Sequence, residues 1–281
     1  MMVLAMSLVP MVDVQAKFLL DGGLSAFQVV FLRMLWGSVI LTPVMLATRR
    51  TEILPPQGWG RAMLLGVLNL SAGFLFFGSL NFIPIADAVA ISFVQPLFVV
   101  LLSRLVLGEQ VGSSRWVALA VGFSASLLII RPGLGSFDPG SFLALGAGFA
   151  MASYAILIKS SVAGVRRVSS VTLTYQTHLM ACLVALPLIV PIWRDVTPQQ
   201  WIIALGMAMF GLIAQYLIIK AYELSEASLV APFAYLEIVT STLLSWLFFR
   251  DMPDNVTFIG VAILIGSSFS LLRQRRSARA L

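Results

Sequence analysis

Long apolar runs separated by short polar breaks organise this chain from end to end. They fall near residues 1–20, 26–48, 62–81, 84–107, 115–131, 141–159, 171–193, 201–220, 227–249 and 256–272. Each comes close to the roughly 20 mostly apolar residues that a helix needs to cross a hydrocarbon core of about 30 Å. The breaks carry turn formers and charges: Arg49-Arg50-Thr51-Glu52, Pro55-Pro56, Arg131-Pro132-Gly133, Asp138-Pro139-Gly140 and Pro253-Asp254-Asn255. The gaps at Asn81–Pro84 and Tyr222–Glu226 are the least marked. No break exceeds about 15 residues, so no soluble domain is expected to hang from the bundle. The pattern predicts an all-α integral membrane protein of ten transmembrane helices.

Composition agrees with lipid as the solvent. Of 281 residues, 59% are apolar and 11% charged, less than half the roughly 25% charge of a soluble domain. The first run does not read as a cleavable signal peptide: it lacks a basic leader and contains Asp13, Gln15 and Lys17. It begins abruptly at Met1, which leaves room for a short cytoplasmic leader ahead of it. The single cysteine, Cys182, excludes an internal disulfide and is too little for a zinc or iron–sulfur site. It reads as packing, and no cofactor or metal is expected.

The net charge of +6 is distributed by loop. One alternate set of loops holds Arg49, Arg50, Arg61, Arg104, Arg115, Lys159, Arg166, Arg167 and Lys220, with Arg273, Arg275, Arg276 and Arg279 in the tail. The opposite set holds Arg131, Arg194 and Arg250, apart from Lys17 at the end of the first helix. This is the positive-inside pattern. With ten helices it places both termini in the cytoplasm, as in a multi-pass protein of a bacterial inner membrane. The basic tail, 274–281, suits anionic lipid headgroups better than nucleic acid, which is not an expected partner.

The two halves are alike. Val117-Ala118-Leu119-Ala120-Val121-Gly122 aligns with Val261-Ala262-Ile263-Leu264-Ile265-Gly266, and Leu107-Gly108-Glu109 with Phe249-Arg250-Asp251. Trp59 and Trp201 precede the third helix of each half, and Lys17 and Lys159 close the first. Residues 1–133 and 139–273 thus read as two five-helix repeats. Five is odd, so the second copy enters the membrane in the opposite sense. Inverted repeats place a substrate site near the midplane between the halves and allow two exchangeable conformations.

Ala86-Asp87-Ala88-Val89-Ala90-Ile91-Ser92-Phe93-Val94-Gln95-Pro96-Leu97-Phe98, followed by Leu107-Gly108-Glu109, resembles the fourth helix of EamA-type transporters of the drug/metabolite transporter superfamily. Arg131-Pro132-Gly133 and Ala231-Pro232-Phe233-Ala234-Tyr235-Leu236-Glu237 fit the same family pattern. The resemblance spans nearly the whole chain. It implies two inverted five-helix repeats around a central cavity, and a substrate such as an amine, an amino acid, S-adenosylmethionine or riboflavin. Many members of the family have proline after the Leu-Glu of the ninth helix. This chain has Ile238 there, so a weaker kink is expected.

Polar residues inside the spans mark a candidate cavity, because a charge at the bilayer centre costs at least about 2.5–3.5 kcal/mol on insertion scales. Glu237 stands at the middle of the ninth run and its repeat mate Gln95 at the middle of the fourth, so the two are expected to face each other. Such a carboxyl can carry a proton or anchor a cationic solute. Asp13 and Lys17, one helical turn apart, can pair on one face. Arg33 lies about 10 Å inside the second helix and can neutralise Asp13 or grip a carboxylate. Gln176 matches Arg33 in the seventh helix, with Tyr175 and His178 beside it. The lone His178 suits packing better than a proton relay. Asp87 lies near the outer end of the fourth helix, where it reaches headgroup water or an outer gate. Gln215, Tyr216, Tyr154, Phe93 and Tyr235 are expected to line the cavity, their rings suited to planar or cationic solutes. Tyr222 reads as an interfacial residue, and the small-residue runs at Gly146-Ala147-Gly148 and Gly206–Gly211 as close helix packing.

Together these features predict a secondary transporter of a small organic metabolite working by alternating access, driven by protons or by exchange for another solute. A passive channel would need rings of like charge or a wide polar pore. An enzyme would need a constellation that one histidine and one cysteine do not supply. A monomer or weak dimer is expected.

Overall fold

The structure, a computed structural model, describes residues 1–79, 82–83, 88, 91–130, 139–163, 168–240, 243, 255–256 and 258–266. Asp87, Arg131-Pro132-Gly133, Asp251 and the basic tail lie outside the described residues, as do 241–242 and 244–249 of the run 227–249.

Regular structure among the described residues is entirely helical. The helices are α1 (Met2–Asp21), α2 (Ala26–Thr48), α3 (Trp59–Ser79), α4 (Gln95–Leu107) and α5 (Ser113–Ile130). In the second half come α6 (Pro139–Ala163), α7 (Ser170–Ile189), α8 (Pro198–Leu224) and α9 (Ala227–Thr240). Residues 258–266 are helical as well. Among the described residues, six helices are long and apolar enough to cross a membrane: α1, α2, α3, α6, α7 and α8. α4 and α9 are shorter apolar helices. Helices suit the bilayer because every backbone donor and acceptor is satisfied within the segment.

The sequence supplies the helix ends. Ser25 and Ser169 cap α2 and α7 by accepting from the backbone N–H of Gln28 and Thr172. Pro43 and Pro187 stand at the same remove from these caps, and both helices continue through them. Thr197 and Gln200 form a reciprocal capping box at the start of α8. α4 ends on Gly108, whose φ of 68° is left-handed and favours glycine.

α1 packs along α8, and α3 along α6. α2 lies against α7 and α8, α7 also against α3, and α4 against α6. Lipid offers no hydrophobic drive for these contacts, so close approach and dispersion must hold them. Glycines make the approach. A Cβ on Gly37 would stand 2.2 Å from the His178 ring, one on Gly66 2.5 Å from the backbone of Ala181, and one on Gly122 2.6 Å from the Tyr235 ring. Cys182 is buried with Phe31, Met34 and Leu70 between α2, α3 and α7.

Two of the expected spans are interrupted. The turn at Phe93-Val94 separates helical Ile91-Ser92 from α4, which begins at Gln95 with Pro96 in its first turn. Gln95 therefore starts a helix, where the apolar run places it at the middle of one. α9 runs as α-helix over Ala227–Val230, tightens to 3-10 over Ala231–Tyr235, and resumes at Leu236. Pro232, which has no N–H to donate, sits in the tightened turn. The helix thus changes its winding before Glu237 and Ile238.

Candidate functional site: a polar centre inside the bundle

Side chains from α1, α2, α6, α7, α8 and α9 meet inside the bundle. Asp13 of α1 is enclosed deep in the protein and is nevertheless exposed. Arg33 of α2 and Glu237 of α9 are also enclosed and part-exposed. The guanidinium charge acts on Asp13, Tyr154 and His178, and Asp13 in turn acts on Glu237. The tertiary fold brings the Arg33 charge to bear on Asp13.

A hydrogen-bonded chain adjoins Arg33. Tyr154 of α6 donates to Thr177 Oγ1 of α7 at 3.1 Å, and Gln215 Nε2 of α8 donates to the Tyr154 hydroxyl. Thr177 is a member the sequence did not flag, since a threonine in a membrane helix usually bonds its own backbone and costs nothing notable. Gln15 is a second. Gly206 and Gly211 make room for it and for Arg33: a Cβ on Gly206 would lie 3.2 Å from Gln15 Oε1, and one on Gly211 3.6 Å from Arg33 Cδ. These glycines, read from the sequence as helix packing, admit polar side chains.

The rings of Phe93 and Tyr235 stack with centroids 6.0 Å apart and planes at 27°. These two residues occupy equivalent places in the two halves, each two positions before Gln95 or Glu237. The halves therefore touch through this aromatic pair, and no hydrogen bond joins Gln95 to Glu237 among the described residues. Three buried polar atoms here have no protein partner: Arg33 Nε, Gln15 Oε1 and the Tyr235 hydroxyl.

The remaining sequence candidates lie around this centre. His178 is packed over Gly37, with Nδ1 2.8 Å from the Thr174 carbonyl of its own helix. Gln176 accepts from Gln57 Nε2 at 2.9 Å, tying α7 to the segment before α3. Tyr175 is buried, Tyr216 half-buried, and Lys17 exposed at the far end of α1. Tyr222, expected at an interface, is buried in the core beside Ile219. Among the described residues no group of three or more histidine, cysteine or acidic side chains could hold a metal ion.

The sequence profile of the EamA-like transporter family matches residues 1–131 and 138–273. The chain belongs to that family. It is thereby a transporter of the drug/metabolite type and a multi-pass membrane protein. An S-adenosylmethionine uptake transporter of Rickettsia prowazekii is 26% identical over 95% of this chain and 89% of its own. A riboflavin transporter of Vibrio cholerae is 29% identical over 86% and 81%. A pseudopaline exporter of Pseudomonas aeruginosa is 28% identical over 90% and 88%. A chain solved by crystallography superposes with a TM-score of 0.80 at 18% identity, covering 97% of this chain and 95% of that one. That likeness concerns the fold alone.

Proposed function

We propose that this EamA-family protein is a secondary carrier of a bacterial inner membrane, moving a small organic metabolite by alternating access through ten helices in two inverted repeats. The observation that carries the reading is the enclosed polar centre, with Asp13, Arg33 and Glu237 acting on one another beside the Phe93–Tyr235 pair where the halves touch. The packing supports an inverted pair. A two-fold that exchanges the halves turns the α1–α8 contact into the α6–α3 contact, and α2–α8 into α7–α3; both members of each pair are present. The match of the family profile to both halves supports the division as well.

The solute that best fits this centre carries a carboxylate and a cation. Arg33 offers a planar fork to the first, Asp13 and Glu237 oppose the second, and the aromatic faces accept an organic body. An amino-acid-like solute such as S-adenosylmethionine has that form, and several relatives are named for its uptake. Glu237 or Asp13 would carry a coupled proton. Positive-inside charge sets both termini in the cytoplasm.

Uptake into proteoliposomes tests this, using labelled amines, amino acids, riboflavin and S-adenosylmethionine with and without a proton gradient. Uptake of a zwitterionic solute, lost in Arg33→Gln and losing its pH dependence in Glu237→Gln, is the expected result. Unchanged transport and pH dependence in Glu237→Gln would reduce that residue to packing.

A further inference from the structure

The face of the bundle that carries Arg61, Arg115, Lys159 and Lys220 is closed across the two halves by a cluster that the polar centre does not use. Glu109 lies just past α4, in the first half. Its carboxylate accepts from the backbone N–H of Ala227 at 2.8 Å, from that of Ser228 at 3.0 Å, and from the Ser228 hydroxyl at 2.7 Å. It thus caps the N-terminus of α9, a helix of the other half, in the place a helix's own N-cap residue usually takes. Glu226, the residue at that position, has no side-chain cap bond and pairs with Arg115 instead. Arg115 also donates to Ser228 Oγ. Lys159 of α6 donates to the carbonyls of Tyr222 and Ser225 at 2.9 and 2.6 Å, closing the C-terminal end of α8.

The short α8–α9 connection is therefore held on both sides by charged groups from other elements. Beyond it, α9 passes through the 3-10 turn Ala231–Tyr235 before reaching Tyr235 and Glu237. A tightened turn with a proline in it stands between the capped end and the polar centre, where a hinge is often found. Gly108 sets the carboxylate in place: its left-handed turn brings the Glu109 N–H back to the Ser103 carbonyl at 3.2 Å and turns the chain toward α9.

We propose that Glu109 is a positioning residue for transport: it latches the first turn of α9 on the basic face, and the latch must release for the polar centre to open there. The inference rests on the carrier reading, but its first test does not. Spin labels on Gln110→Cys and Leu224→Cys, both at exposed positions, in a Cys182→Ser background, report the separation of the two connections. One short-distance population is expected with Glu109 intact. Glu109→Ala should shift the short-to-long ratio by roughly tenfold, the scale of one lost cap, and Glu109→Asp should recover part of it. A single unshifted population in both variants, with only the melting temperature lowered, would overturn the latch. The second test joins Glu109→Cys to Ser228→Cys by a disulfide: uptake should stop and return on reduction. If the reduced protein transports and the cross-linked form transports equally well, the latch is wrong while the carrier reading stands. If no solute moves in any form, the carrier reading fails, and the distance distributions alone decide the latch.

Discussion

A guanidinium inside a membrane protein is retained against an insertion cost of at least about 2.5–3.5 kcal/mol, so the company Arg33 keeps is informative. Its charge acts on Asp13 and Tyr154, and its Nε has no partner within the protein. We expect Arg33→Lys, which keeps the charge and loses the planar fork, to raise KM for a carboxylated solute about tenfold. An amine without a carboxylate should be little affected; equal effects on both would argue against carboxylate recognition. Gly37 is a test of packing. A methyl group there would stand 2.2 Å from the His178 ring, and overpacking costs about 1–3 kcal/mol. Gly37→Ala should lower the melting temperature in detergent, and His178→Ala in the same chain should restore part of the loss. Which residues are costly in lipid was plain in the sequence, and Asp13, Arg33 and Glu237 stood out for that reason. That Arg33 can neutralise Asp13 was legible too; that Asp13 also bears on Glu237 was not. The pairing of Asp13 with Lys17 follows from one helix alone, whereas that of Asp13 with Arg33 requires the packing of two.

α9 shows what the apolar pattern conveys about an element and what it leaves out. The run from Ala227 is evident, but its hydrophobicity continues unchanged through the 3-10 turn. Pro232 was the local signal of that turn, and it stands three residues before Tyr235. Pro232→Ala returns a backbone donor and should straighten the segment. Transport is expected to fall several-fold while thermal stability holds or rises; unchanged transport would show that the break is not a hinge. The Glu109 cap bears on pH. Burial pushes this carboxyl's pKa up, but hydrogen bonds from Ser228 and Ala227 and the charge of Lys159 outweigh it and hold the value below the usual carboxylate range. A depressed pKa gives a contribution present above the unfolded value of about 4.3 and lost as pH falls through the folded value. The cap is thus intact from about pH 5 upward. Glu109→Gln should alter the transport rate at every pH in that window without changing the shape of the profile, whereas Glu237→Gln should change the shape. A changed shape in Glu109→Gln would show that the cap itself titrates.

For the whole molecule, the proposal of two repeats rests on glycines, acids and tryptophans that recur at matching places in the two halves. The contacts between halves were not, since no local pattern says that α1 lies on α8. The aromatic junction of Phe93 with Tyr235 and the cross-half cap by Glu109 are the two tertiary facts that give the bundle a centre and a closed face. Both belong to α9 and its surroundings, so motion of that helix would couple the face to the centre. The most direct test of a carrier with an Arg33-centred site is uptake of a labelled zwitterionic solute by proteoliposomes, compared between the unaltered protein and Arg33→Gln. Saturable uptake that a proton or exchange gradient drives uphill, and that Arg33→Gln abolishes, is the expected result. Non-saturable downhill flux, or uphill uptake indifferent to Arg33→Gln, would contradict it.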